Sequence, residues 1–143
     1  MGAARMPVYE TDSPAATQAL GERLARALDG GALILFTGGL GAGKTTFCRG
    51  LARGLGCVDE VSSPTFAIVN VYRGPRVFAH FDFYRISSEE ALLTAGFYDY
   101  LDGGAVVAAE WSENVRPRLP GQRAVRVDMA ALDETRRRIT IDE

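Results

Sequence analysis

Leucines at positions 20, 24 and 28 recur every fourth residue, the spacing that lines one face of a helix. Ser13 followed by Pro14 supplies an N-cap and a proline at the first helical position, and Asp29-Gly30-Gly31 supplies the stop. The pattern then changes to an unbroken apolar run, Ala32-Leu33-Ile34-Leu35-Phe36, which marks a strand buried on both faces. After a glycine-rich loop a helical repeat resumes from Lys44, with Phe47, Leu51 and Leu55 on one face and Gly54 and Gly56 closing it. β-Branched and aromatic residues fill Phe66 to Tyr72 and Val77 to Phe81, so two strands are predicted around the turn Arg73-Gly74-Pro75, paired as a hairpin. Ser87 with Glu90 fits a capping box for a short helix through Leu93, and Ala105 to Ala109 is a second buried-strand run. Alternation at Val125, Val127 and Met129, and again at Ile139 and Ile141, predicts two half-exposed strands.

Buried runs beside helices imply a parallel centre, and the hairpin-like pairs imply antiparallel additions. The expected architecture is α/β, three-layered, with a mixed, mainly parallel central sheet and antiparallel additions. Residues 1–143 show no repeat and no linker-like stretch, so one domain is expected. A hydrophobic fraction of 47% and a charged fraction of 24% place the chain among ordinary globular proteins, excluding disordered and fibrous classes. The formal charge of -2 argues against attachment to nucleic acid by counterion release, so any RNA contact is expected to be local or borrowed from a partner. Cys48 and Cys57 match neither a zinc nor a disulfide spacing and read as core thiols of a reducing compartment. The first residues lack an apolar leader and no stretch suits a membrane helix, so a cytoplasmic protein without membrane contact is expected.

Chemistry enters at Gly38-Gly39-Leu40-Gly41-Ala42-Gly43-Lys44-Thr45, which matches G-x-x-x-x-G-K-[ST] in full, after an apolar strand and at the start of a helix, so the three-layer fold is expected to be that of a P-loop NTPase. Backbone N–H groups can surround a phosphate chain only where side chains leave room, and Gly38, Gly41 and Gly43 provide it. Lys44 then reaches the β- and γ-phosphates, the Thr45 hydroxyl ligates Mg²⁺, and Thr46 adds an α-phosphate contact at the positive end of the helix. The rival reading is a flexible turn with a chance lysine. A dinucleotide reading fails because the third glycine of G-x-G-x-x-G is not in its place.

Asp82 and Glu110 each follow an apolar run, the position of a Walker-B carboxylate that holds Mg²⁺ or orients the attacking water; order alone does not divide the roles, and either can be a plain strand-end acid. Ser63-Pro64-Thr65 lies where a switch loop can sense the γ-phosphate, against a plain loop. His80 on an aromatic strand reads as packed and structural rather than catalytic, and Trp111 as core or surface anchor. Arg136-Arg137-Arg138 reads as a solvated face with one alternating side chain turned inward, or as an arginine at the edge of a site.

These blocks together resemble the TsaE (YjeE) ATPases of bacterial tRNA threonylcarbamoyladenosine synthesis. The resemblance runs through Gly38 to Phe47, Ser63 to Phe66, His80-Phe81-Asp82-Phe83-Tyr84-Arg85, Gly96 to Tyr100, and Glu110-Trp111-Ser112-Glu113. The family usually has Asp where Gly39 stands. The resemblance implies Thr45 and Glu110 at Mg²⁺, Asp82 in the Walker-B role and Ser63 to Thr65 as the switch. It also implies closure of the ATP site by the segment around Ser13 and by Thr135 and Arg136. The implied partner is the TsaB-TsaD complex, bound in an ATP-dependent way, with tRNA reached only through that complex. Two other classes stand beside this. One is a small-molecule kinase, with Arg116, Arg118 and Arg123 as an arginine-rich lid, for which the chain leaves little room for a second substrate pocket. The other is a nucleotide-gated binding module with the Ser-Pro-Thr loop as sensor.

Overall fold

The computed structural model describes residues 7–39, 41–58, 69–81, 90, 94–110 and 124–142, with Glu110 described through its backbone alone. In chain order these residues form β1 (Val8–Thr11), α1 (Pro14–Ala27), β2 (Ala32–Thr37), α2 (Lys44–Gly54), β3 (Val69–Tyr72), β4 (Phe78–Phe81), α3 (Phe97–Asp102), β5 (Val106–Glu110), β6 (Ala124–Ala131) and β7 (Arg137–Asp142). The strands make one sheet in the order β1-β7-β6-β2-β5-β4-β3. Its centre is parallel, since β2 runs with both β5 and β6, and β5 with β4. Its edges are antiparallel, through β3 on β4, β7 on β6 and β1 on β7. The expected mixed sheet is therefore present, with the strand carrying the glycine loop at its middle.

Two cores follow from the alternation of side chains across the sheet. Ile34, Phe36, Val106, Ala108, Val125, Val127 and Met129 meet α1 and α2 on one face. Leu33, Leu35, Ala79, Phe81, Val107 and Ala109 meet Phe97 and Leu101 of α3 on the other. This explains why β2 reads as an unbroken apolar run: Ala32 to Phe36 is buried on both sides. β6, by contrast, alternates buried Val125, Val127 and Met129 with exposed Arg126 and Asp128.

Helix α1 begins as its sequence demands. The Ser13 hydroxyl accepts from the Ala16 N–H at 3.1 Å, and Pro14 takes the first helical position. Its far end is held from a distance. The Arg76 guanidinium, in the turn between β3 and β4, donates to the carbonyls of Leu28 at 2.8 Å and Gly30 at 2.7 Å, and more weakly to Ala25 at 3.4 Å. Helices α1 and α2 touch through glycines. A Cβ on Gly21 would collide with the Phe47 carbonyl, one on Gly50 with the Gln18 carbonyl, and one on Gly54 would come 2.6 Å from the Glu22 carbonyl. Such backbone contact brings α2, and the loop that leads into it, against α1.

Some expectations change in detail. Gly54 is a contact glycine as well as the last residue of α2; the left-handed terminator is Gly56, at φ 80°. Strand β1 and helix α3 were not predicted. The first is a four-residue edge strand stabilised by its pairing with β7, and the second a short helix between Gly96 and Gly103. Cys48 is fully buried, whereas Cys57 is only half-buried, its thiol directed at the carbonyls of Tyr72 and Arg76. His80 is buried and stacks on Phe78 with ring centroids 6.3 Å apart. Of the predicted strand from Phe66, residues 66–68 lie outside the described residues, as do Trp111 and most of the helix predicted from Ser87 through Leu93. Among the described residues no helix is long and apolar enough to cross a membrane.

Candidate phosphate-binding site

The loop from Gly38 to Gly43 connects the C-terminal end of β2 to the first residue of α2. Gly38 has φ 136°, and the Met129 carbonyl stands where its Cβ would be, so two independent constraints require glycine there. Gly43, at φ 99°, is the N-cap of α2, with no side chain capping the helix. An uncapped helix start reached through glycines presents backbone N–H groups and the positive end of the helix dipole to an anion. Lys44 belongs to the same arrangement, its Nζ donating to the Gly38 carbonyl at 3.1 Å, across the mouth of the loop. Inside the loop, Ala42 is buried and its N–H bonds the Gly39 carbonyl at 3.3 Å. A Cβ on Gly39 would meet nothing within 4 Å, so the Asp that the resemblance expects at this position has space. Leu40 lies outside the described residues.

Beside the loop lies a small cavity of about 60 Å³ lined by Ser13, Pro14, Thr17, Gly43, Thr46, Glu134, Thr135 and Arg137. It brings together three segments distant in sequence: the start of α1, the start of α2 and the turn between β6 and β7. Ser13, Thr46 and Thr135 thus line one cavity with Gly43. Thr17 stands one helical turn after Ser13, and its hydroxyl shares a buried 2.7 Å hydrogen bond with that of Thr11 at the end of β1. Spacing along α1 carries the signal for Thr17. Glu134 and Arg137 reach the cavity only because β6 and β7 pair, which no local pattern gives.

The β6–β7 turn is organised by Asp133. Its carboxylate accepts from the N–H groups of Thr135 at 2.9 Å and Arg136 at 2.7 Å, and from the Arg136 guanidinium at 2.7 Å. The side-chain bond from Arg136, followed by those two backbone bonds, holds the Asp133 carboxyl far below the usual carboxylate range, and the same partner raises Arg136. Arg136 is therefore engaged with Asp133 and exposed, while Arg137 lines the cavity, its Nη1 donating to the carbonyls of Asp133 at 2.7 Å and Arg136 at 2.9 Å. Of the three consecutive arginines, Arg137 is the one turned inward.

Toward the other side of β2 lie the strand ends that precede the acids. Phe81, the last residue of β4, pairs with Ala109, and Glu110 pairs in turn with Phe36, two residues before Gly38. The backbone of Glu110 is thus placed beside the root of the loop. Asp82 and the switch segment Ser63 to Thr65 lie outside the described residues, as do Arg85, Arg116, Arg118 and Arg123. Of the three residues expected at the metal, Thr45 is the one whose side chain is described, in the first turn of α2. Among the described residues no group of three His, Cys, Asp or Glu side chains could hold a metal ion.

Comparison with known proteins gives one consistent result. A family model described as threonylcarbamoyl adenosine biosynthesis protein TsaE matches residues 11–139. The tRNA threonylcarbamoyladenosine biosynthesis protein TsaE of Treponema pallidum (strain Nichols) is 37% identical over 121 residues, 85% of this chain and 89% of that protein. The protein of the same name from Bacillus subtilis (strain 168) is 36% identical over 129 residues, 90% of this chain and 80% of that protein. The crystal structure of Bacillus subtilis YdiB superposes with a TM-score of 0.74 at 28% identity, covering 99% of this chain and 88% of YdiB.

Proposed function

The chain belongs to the TsaE family of threonylcarbamoyl adenosine biosynthesis proteins, and its role lies in that pathway; we propose that it acts there by binding and hydrolysing ATP with Mg²⁺ on the loop 38–45. The observation that carries this reading is the loop itself. Gly38 and Gly43 hold backbone conformations closed to other residues, α2 starts without a side-chain cap, and Lys44 Nζ spans the mouth on the Gly38 carbonyl. That arrangement supplies N–H donors, a helix dipole and a cation to one polyanion. Ser13, Thr17, Thr135 and Arg137 provide polar walls for the remainder of the nucleotide.

In this reading Lys44 binds the β- and γ-phosphates, Thr45 with Asp82 and Glu110 holds Mg²⁺, and one of the two acids orients the water that attacks the γ-phosphorus. The bond to the bridging oxygen of ADP breaks as the bond to water forms, leaving ADP and phosphate. Mg²⁺ supplies neutralisation of phosphate charge. The partner is the TsaB-TsaD complex, engaged in an ATP-dependent way with Ser63-Pro64-Thr65 as the switch, and tRNA is reached only through that complex. The setting is the cytoplasm.

Asp82→Asn and Glu110→Gln test the division of labour. Because the loop makes most of the ground-state contacts, each variant is expected to bind ATP within about threefold of wild type. Hydrolysis is expected to fall by roughly 10²-fold, since metal and water placement act on the transition state. Fluorescence titration of a nucleotide analogue, paired with phosphate-release assays, measures both. Normal hydrolysis by either variant would reduce that residue to a strand-end acid.

A further inference from the structure

β6 touches the phosphate loop with two consecutive residues. Asp128 is the register partner of Thr37, the last residue of β2, and Asp128 Oδ1 accepts from the Thr37 hydroxyl at 2.7 Å. Met129, the next residue, places its carbonyl against Gly38, and its terminal methyl lies 3.4 Å from the Cβ position of Gly43. One strand thus supports the loop at its root and at its end. The Gly38 carbonyl in turn receives Lys44 Nζ at 3.1 Å, so the bonds run from Asp128 through Thr37 and Gly38 to the phosphate-binding lysine.

Asp128 has no packing reason to be an aspartate. It occupies an outward, exposed position of β6, where β-branched residues suit the strand better. A carboxylate beside a site for a polyanion also opposes binding by its charge unless its hydrogen bond contributes more than its charge costs. We propose that Asp128 is a positioning residue of the phosphate loop, fixing the loop's root through the Thr37 hydroxyl in the form that receives phosphate. The proposal rests on the ATP-site reading given above. Its physical basis is preorganisation: a loop already held in its binding form gives up less conformational freedom when nucleotide arrives.

The test measures affinity for fluorescent N-methylanthraniloyl-ADP and thermal melting of the nucleotide-free protein, in wild type, Thr37→Val, Thr37→Ser, Asp128→Ala, Asp128→Asn, the double variant Thr37→Val/Asp128→Ala, and Lys44→Ala. Loss of one such hydrogen bond is expected to raise Kd about threefold to tenfold in Thr37→Val and in Asp128→Ala. Thr37→Ser and Asp128→Asn keep a donor and an acceptor and are expected to bind like wild type. The double variant is expected to be no weaker than the worse single one, because both remove the same bond. Affinity within twofold of wild type in both Thr37→Val and Asp128→Ala, with Lys44→Ala having lost binding, would overturn the positioning role while leaving the ATP site standing. The positioning role is equally overturned if the two losses multiply in the double variant, or if melting falls and Kd does not change. Failure of wild type itself to bind the nucleotide would remove the ATP-site reading and this inference with it.

Discussion

Lys44→Ala is expected to weaken ATP binding by about 100-fold, roughly 3 kcal/mol, while the protein remains folded. The lysine supplies the one described cationic side chain bonded across the mouth of the loop, through Gly38, and a charge-assisted bond to phosphate is among the strongest single contacts a nucleotide site makes. Its bond to the Gly38 carbonyl lies at an exposed position, so the fold is expected to survive its loss. Calorimetric titration with ATP and Mg²⁺, alongside circular dichroism, separates the two effects. Wild-type affinity in a folded variant would mean that the loop is only a connector between β2 and α2.

Gly50→Val is expected to lower stability by roughly 3 kcal/mol or more, about 10 °C in melting temperature for a domain of this size. The Cβ of any side chain at this position would collide with the Gln18 carbonyl, and the neighbouring contact atom, the Glu22 N–H nitrogen at 3.0 Å, is backbone too. Backbone cannot rotate aside as a flexible side chain would, so the helices must separate. Separation would open the core formed by Leu20 and Leu24 with Phe47 and Leu51. Valine also gains little in helix propensity to offset the collision. Chemical denaturation with linear extrapolation measures the loss; a variant as stable as wild type would show that α1 and α2 are not held together by backbone contact at Gly50.

Local chemistry was legible in the sequence wherever a residue acts on its immediate neighbours. The start of α1 follows from Ser13 and Pro14, and the loop follows from its glycines and Lys44, because caps and left-handed turns are decided within a few residues. The alternation of Val125, Val127 and Met129 likewise identifies β6 and its buried face. What was not legible depends on pairing across long separations. Val8 to Thr11 is too short to announce itself and becomes a strand because β7 offers an edge. Glycines 21 and 50 sit inside helices, where each costs stability, and that cost is a readable sign of close packing; the partner helix is not. Likewise the arginine that lines the cavity is Arg137 and not Arg136, because pairing of β6 with β7 brings their turn beside the starts of α1 and α2, while Asp133 captures Arg136 in the turn. Tyr100 and Leu101 follow Phe97 at helical spacing, so α3 carried a signal in its apolar positions that its brevity concealed.

If this chain couples ATP turnover to a partner in the pathway, complex formation must depend on the nucleotide. Immobilised protein is incubated with the TsaB-TsaD complex in ATP, in ADP and without nucleotide, and phosphate release is followed in the same samples. Turnover is expected to be slow alone and to rise by roughly 10³-fold or more when a partner supplies the cationic finger, the alternative being Arg85 acting in cis. Retention of the complex is expected in ATP only, because a nucleotide shifts a switch only by favouring one of its states. Equal retention in all three conditions, or full turnover by the protein alone, would contradict ATP-dependent coupling to the partner.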